Sequence, residues 1–121
     1  MEWNALRSED QVGKLHEESR KYPILIFKYS NRCSLSRVVL DRLERSWKPD
    51  QSNEMKAYFL DLISYRSISD MVSSYYNVPH ESPQVLVVKN GNAIYDESHF
   101  GISFDRIVEA LKNQKQVGQS H

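Results

Sequence analysis

Pro23-Ile24-Leu25-Ile26-Phe27-Lys28-Tyr29-Ser30-Asn31-Arg32-Cys33-Ser34-Leu35-Ser36 carries the only cysteine among the 121 residues of this chain. The run from 24 to 29 is short and rich in branched and aromatic side chains. Pro23 and Ser30-Asn31 bound it, so it reads as a buried central strand. Beyond it, Leu35, Val38, Val39, Leu43 and Trp47 recur at helical spacing, and Pro49 stops that helix. Cys33 therefore falls at a strand-to-helix junction. Loops at the carboxyl ends of parallel strands are where α/β sheets place ligands and chemistry.

Upstream, Ser8-Glu9-Asp10-Gln11 has capping-box form and predicts a first helix from 9 to about 19, with Val12 and Leu15 inward. Downstream, Ala57-Tyr58-Phe59-Leu60-Asp61-Leu62 reads as a second strand. Ser67 is the expected cap of a helix presenting Ile68, Met71, Val72, Tyr75 and Tyr76 on one face. Strands joined through helices of this length imply parallel βαβ units. Gln84-Val85-Leu86-Val87-Val88-Lys89 is a third strand, and Asn90-Gly91 is a strong hairpin signal returning the chain along 92–95. Ser103 caps a last helix with Phe104, Ile107, Val108 and Leu111 inward, and Ile102 with Ile107 forms a hydrophobic staple. The order α-β-α-β-α-β-β-α predicts an α/β domain over 1–112, a mixed central sheet flanked by helices on both faces. A polar tail is expected over 113–121.

Composition excludes several function classes. Sixteen basic residues balance sixteen acidic ones without a long run of either sign, which argues against nucleic acid or an anionic membrane as partner. No uninterrupted apolar stretch exceeds the four residues 24–27, far too few to span a bilayer. Met1-Glu2-Trp3-Asn4 lacks the basic and apolar regions of a secretory signal. One cysteine cannot build an internal disulfide framework. A cytoplasmic monomer is the simplest expectation, since thiols stay reduced there.

A free cysteine is often a small buried apolar residue. Here, however, the helix that begins beside Cys33 offers unpaired N–H groups and the positive end of its dipole, both of which favour a thiolate. Arg32 and Arg37 add nearby positive charge. The thiolate is the attacking species in thiol–disulfide exchange. Ser36 stands where a dithiol motif would carry its second cysteine; its hydroxyl can donate to the Cys33 sulfur but cannot resolve a mixed disulfide. Cys33 and Ser36 are thus the candidate catalytic pair. Ser82-Pro83 precedes the third strand, a position where proline is tolerated. The four histidines, His16, His80, His99 and His121, show no metal-ligand spacing, so no metal site is expected, and His80 is read as a surface residue. Asp61 is read as an ordinary strand-end carboxylate.

Taken together, residues 23–30, the Arg32-Cys33-Ser34-Leu35-Ser36 motif, Trp3, Glu81-Ser82-Pro83-Gln84-Val85 and Lys89-Asn90-Gly91 resemble the monothiol bacilliredoxin family (YtxJ-type, thioredoxin-like proteins of the bacillithiol system). The likeness extends from about Trp3 to Leu111. It implies a thioredoxin-like fold in which Pro83 is cis and faces Cys33, and backbone beside Ser82 and Pro83 pairs with the substrate chain. Arg32, Ser34, Ser82 and Pro83 are the implied substrate-binding residues. The implied function is a monothiol oxidoreductase that removes a low-molecular-weight thiol, bacillithiol, from protein mixed disulfides. Its partners would be S-thiolated client proteins and a recycling thiol or reductase; it would hold no tight cofactor, only bacillithiol or a similar thiol as co-substrate. One departure from the family pattern of Cys-Pro-Ile-Ser matters: Ser34 stands where proline would pre-organise the first helical turn.

Two other classes fit parts of the pattern. A thioredoxin-fold binding or adaptor module would keep the fold with a redox-silent cysteine. A monothiol-glutaredoxin-like iron–sulfur carrier would use a similar Cys-X-X-Ser motif, although glycine does not follow Cys33 and no second protein ligand is evident.

Overall fold

Five strands and four helices alternate along the chain in a computed structural model that describes residues 2–52 and 54–120, with side chains through 113. They are β1 (Trp3–Ala5), α1 (Glu9–Glu18), β2 (Ile24–Tyr29), α2 (Ser34–Ser46), β3 (Lys56–Asp61), α3 (Arg66–Tyr76), β4 (Gln84–Lys89), β5 (Asn92–Ser98) and α4 (Phe104–Ser120). The sheet order is β1-β3-β2-β4-β5. β1 and β2 run parallel to β3, whereas β4 is antiparallel to both β2 and β5.

The alternation of side chains along each strand divides the core into two layers. Leu25, Phe27, Val85 and Val87 pack against Val39 and Leu43 of α2 and Phe104, Ile107 and Leu111 of α4. Ile24, Ile26, Leu86 and Val88 pack on the other face against Val12 and Leu15 of α1 and Ile68 and Val72 of α3. The residues of β2 from Ile24 to Lys28 are buried, which places the strand at the centre of the molecule.

The expected mixed sheet with a helical layer on each face is present, and Ser8 with Gln11 closes the capping box of α1. Ser103 Oγ accepts from Arg106 N at 3.2 Å, so Ser103 does cap α4. Three points of the expected order need correction. β1 was not foreseen: it is three residues long, pairs with β3, and packs Trp3 edge-on to Phe27 and Phe59. Ser67 is not the cap of α3, because the Asp61 carboxylate accepts from Ile63 N and Ser64 N and winds the chain early, so the helix starts at Arg66. Val38 and Tyr75 are exposed, since the inward stripes run through Ser36, Val39 and Leu43 on α2 and Ile68, Ser69, Val72 and Tyr76 on α3. The helix α4 continues to Ser120, and the polar tail expected over 113–121 concerns side chains from 114 onward, which lie outside the described ones.

Candidate functional site

Cys33 is the N-cap of α2, extended at φ −113° and ψ 111°, so the helix begins on the residue after it even with Ser34 in place of proline. The approach is tied down locally. Cys33 N donates to Ser30 O at 3.2 Å, and Ser36 N donates to Cys33 O at 3.1 Å. Ser30 Oγ accepts from Arg32 N at 3.3 Å. Ser30 N in turn donates to Ser36 Oγ at 3.4 Å, joining the end of β2 to the first turn of α2. Ser30 was not singled out from sequence; a serine ending a strand carries no periodic signal.

The thiol makes no capping hydrogen bond of strict geometry, yet its pKa lies below the ordinary thiol value. The first cause is the backbone N–H of Ser36, opposed in part by desolvation and reinforced by the Leu35 N–H and the Ser36 hydroxyl. Because Ser36 Oγ accepts from Ser30 N, its own proton is free for the sulfur. Arg32 and Arg37, expected to help, are both exposed, and the groups that lower the Cys33 pKa belong to the helix terminus itself. Cys33 remains partly accessible, as exchange chemistry requires.

Of the other residues singled out, Arg32 and Ser34 flank Cys33 on the surface. Ser82 and Pro83 arrive from β4. Lys28 pairs with Gln84 across the β2–β4 ladder, so the chain entering β4 and the chain leaving β2 toward Cys33 share one end of the sheet. The Ser82–Pro83 bond is cis, as the resemblance implies. Pro83 is buried, its carbonyl accepts from His99 N at 3.0 Å, and Ser82 Oγ is buried without a partner. His80 is not the surface residue expected. It is half-buried against Lys28 and Ser69, and desolvation first, then Lys28 and Arg66, lowers its pKa. Asp61, read as an ordinary strand-end carboxylate, does end β3 and also forms the following turn by accepting from Ile63 N, Ser64 N and Ser64 Oγ.

Among the described residues, no group of three or more His, Cys, Asp or Glu could hold a metal ion. No helix among them is long and apolar enough to cross a membrane.

The family model for monothiol bacilliredoxin BrxC matches residues 4–107. Among solved structures, a candidate oxidoreductase with a thioredoxin fold is 27% identical, with a TM-score of 0.75 over 88% of this chain and 90% of that one. Thioredoxin from Trypanosoma brucei brucei is 10% identical with a TM-score of 0.70, over 95% and 92% of the two chains. Thioredoxin from Malassezia sympodialis is 17% identical with a TM-score of 0.66, over 98% and 90%. At the latter two identities the likeness is one of fold, and the fold of this chain is thioredoxin-like.

Proposed function

Because the chain belongs to the monothiol bacilliredoxin family, we propose that it is a thiol–disulfide oxidoreductase that strips bacillithiol from client proteins carrying it as a mixed disulfide. Family and fold support a thiol redox role. The observation that carries the finer reading is the setting of Cys33: a lone, accessible thiol whose pKa is lowered by the first turn of α2, with Ser36 rather than a second cysteine three residues on.

In this reading, the Cys33 thiolate attacks the bacillithiol sulfur of the mixed disulfide. A bond from Sγ to that sulfur forms, the bond to the client sulfur breaks, and the client leaves as a thiolate that takes a proton from water. Ser36 donates its hydroxyl proton as a hydrogen bond to the attacking sulfur. Ser82 and Pro83 line the approach of the client chain beside Cys33, and Arg32 and Ser34 face it from the other side. With no resolving cysteine, Cys33 remains bacillithiolated until a second bacillithiol thiolate attacks the bound bacillithiol sulfur. That step releases Cys33 and oxidised bacillithiol, so the electrons come from the free thiol pool. The reducing cytoplasm is the compartment that supplies this pool, and the chain needs no resident cofactor for either step.

The test is to mix the protein with a bacillithiolated model client and follow intact masses. The expected result is loss of bacillithiol from the client and an equal gain on the wild type, with neither change in Cys33→Ser. No transfer to a folded wild type overturns the reading, and transfer persisting in the variant overturns the assignment to Cys33.

A further inference from the structure

Lys28 stands out in β2 as the one charged side chain in a buried strand, with none of its surface exposed. A buried ammonium costs free energy unless its hydrogen bonds are made, and an aliphatic side chain would fill the same space without that cost. Its partners are neutral: Nζ donates to Ser69 O at 3.2 Å, to Ser73 Oγ at 2.7 Å and to His80 Nδ1 at 3.5 Å. Two of these lie on α3 and the third on the segment that leads into Pro83. Ser69 Oγ lies 3.4 Å from the same His80 nitrogen.

Directly opposite Lys28 in the ladder, Gln84 donates from Nε2 to Pro79 O at 2.9 Å. Paired side chains of β2 and β4 thus grip adjacent residues of one segment. At its far end, His99 N donates to Pro83 O at 3.0 Å. Between these anchors Ser82 Oγ makes no hydrogen bond, so its position depends on the flanks.

We infer that Lys28 is a positioning residue for thiol exchange: its ammonium locks residues 79–83 onto β2 and α3, and so fixes Ser82 and Pro83 beside Cys33 where a client chain is to be received. The inference rests on the reading of Cys33 as the exchange nucleophile. Lys28 acts through the segment and not on the sulfur, whose acidity comes from the α2 terminus. The charged and titratable groups around it are His80 on the segment and Asp70 and Arg66 on α3.

Two variants test this. Lys28→Met keeps the length and removes the donors; Ser73→Ala removes only the shortest bond and serves if the first variant fails to fold. Amide hydrogen exchange at His99, whose N–H donates to Pro83 O, should quicken by about tenfold or more in Lys28→Met and by less in Ser73→Ala, as expected for lost charge-assisted hydrogen bonds. The pH midpoint of Cys33 alkylation should not move. With a bacillithiolated client, KM should rise by about fivefold or more while kcat stays within about twofold. Unchanged exchange at His99 in the folded variants overturns the inference, as does a shifted alkylation midpoint with unchanged exchange. If the wild type accepts no bacillithiolated client, the functional reading fails, and the exchange measurement still decides whether Lys28 positions the segment.

Discussion

At Cys33 two effects oppose one another: partial removal from water disfavours the thiolate, and the first N–H groups of α2 favour it. The N–H groups win because they are fixed by the helix and need no reorganisation when charge appears. Alkylation of Cys33 by a small neutral reagent should therefore show a pH midpoint below that of free cysteine. Ser36→Ala should slow alkylation at neutral pH by about 2- to 10-fold, the worth of one hydrogen bond. An unchanged rate would remove the hydroxyl from the account. Lys28 provides the second residue-scale prediction. Burial pushes its pKa down to about 8 from an ordinary 10.5. Between those values the unfolded chain holds a proton that the folded chain has lost, so stability contributed by Lys28 rises with pH across that window. Below it both states are protonated and the full cost of burying the charge is present. The stability of wild type minus that of Lys28→Met, from denaturant unfolding at pH 7 to 10, should shift toward wild type by up to about 3 kcal/mol. His80, whose pKa Lys28 also lowers, titrates below this range, and the remaining groups cancel, so a flat difference would contradict the burial of the charge.

Among the elements, the β4–β5 hairpin shows most directly how residue chemistry sets geometry. Asn90 and Gly91 both have positive φ, 52° and 76°, which is the pattern of the tight turn that matches strand twist. A Cβ on Gly91 would also stand 3.1 Å from His16 Cε1 of α1. Gly91→Ala should cost about 1–2 kcal/mol through backbone strain alone, measured as a lower denaturant midpoint with an unchanged slope. No loss would mean that the turn relaxes freely. This hairpin was legible in the sequence because Asn-Gly encodes φ locally, as was the start of α1 through Ser8 and Gln11. The start of α3 was not legible: Asp61, five residues upstream of Arg66, sets it by bonding the intervening backbone, and no rule of local spacing announces that.

Across the whole molecule, the two-faced burial of the sheet makes a prediction that an exposed-face sheet would not. Leu25 and Ile26 are neighbours in β2 pointing to opposite faces, and each is fully buried in a different cluster. Leu25→Ala and Ile26→Ala should each cost about 2–5 kcal/mol in unfolding free energy; a near-neutral result for either would mean that its face lacks a helical layer. The sequence by itself determined the strands and helices with strong periods, the hairpin, the mixed two-layered sheet and the junction that carries Cys33, because each is written in residues close together in the chain. It also made Ser36, and not a resolving cysteine, the neighbour of the thiol. Tertiary structure alone decided what meets that junction. Pro83 comes to the same end of the sheet only because β4 pairs with β2 in the register that sets Gln84 against Lys28. His80, read as a surface residue, is drawn inward by a lysine 52 positions away. Lys28 itself, polar in sequence, is enclosed because its strand lies at the sheet centre with α3 packed over that face. Burial and long-range pairing are properties of the closed sheet, and they determine which polar groups are left to anchor the candidate site.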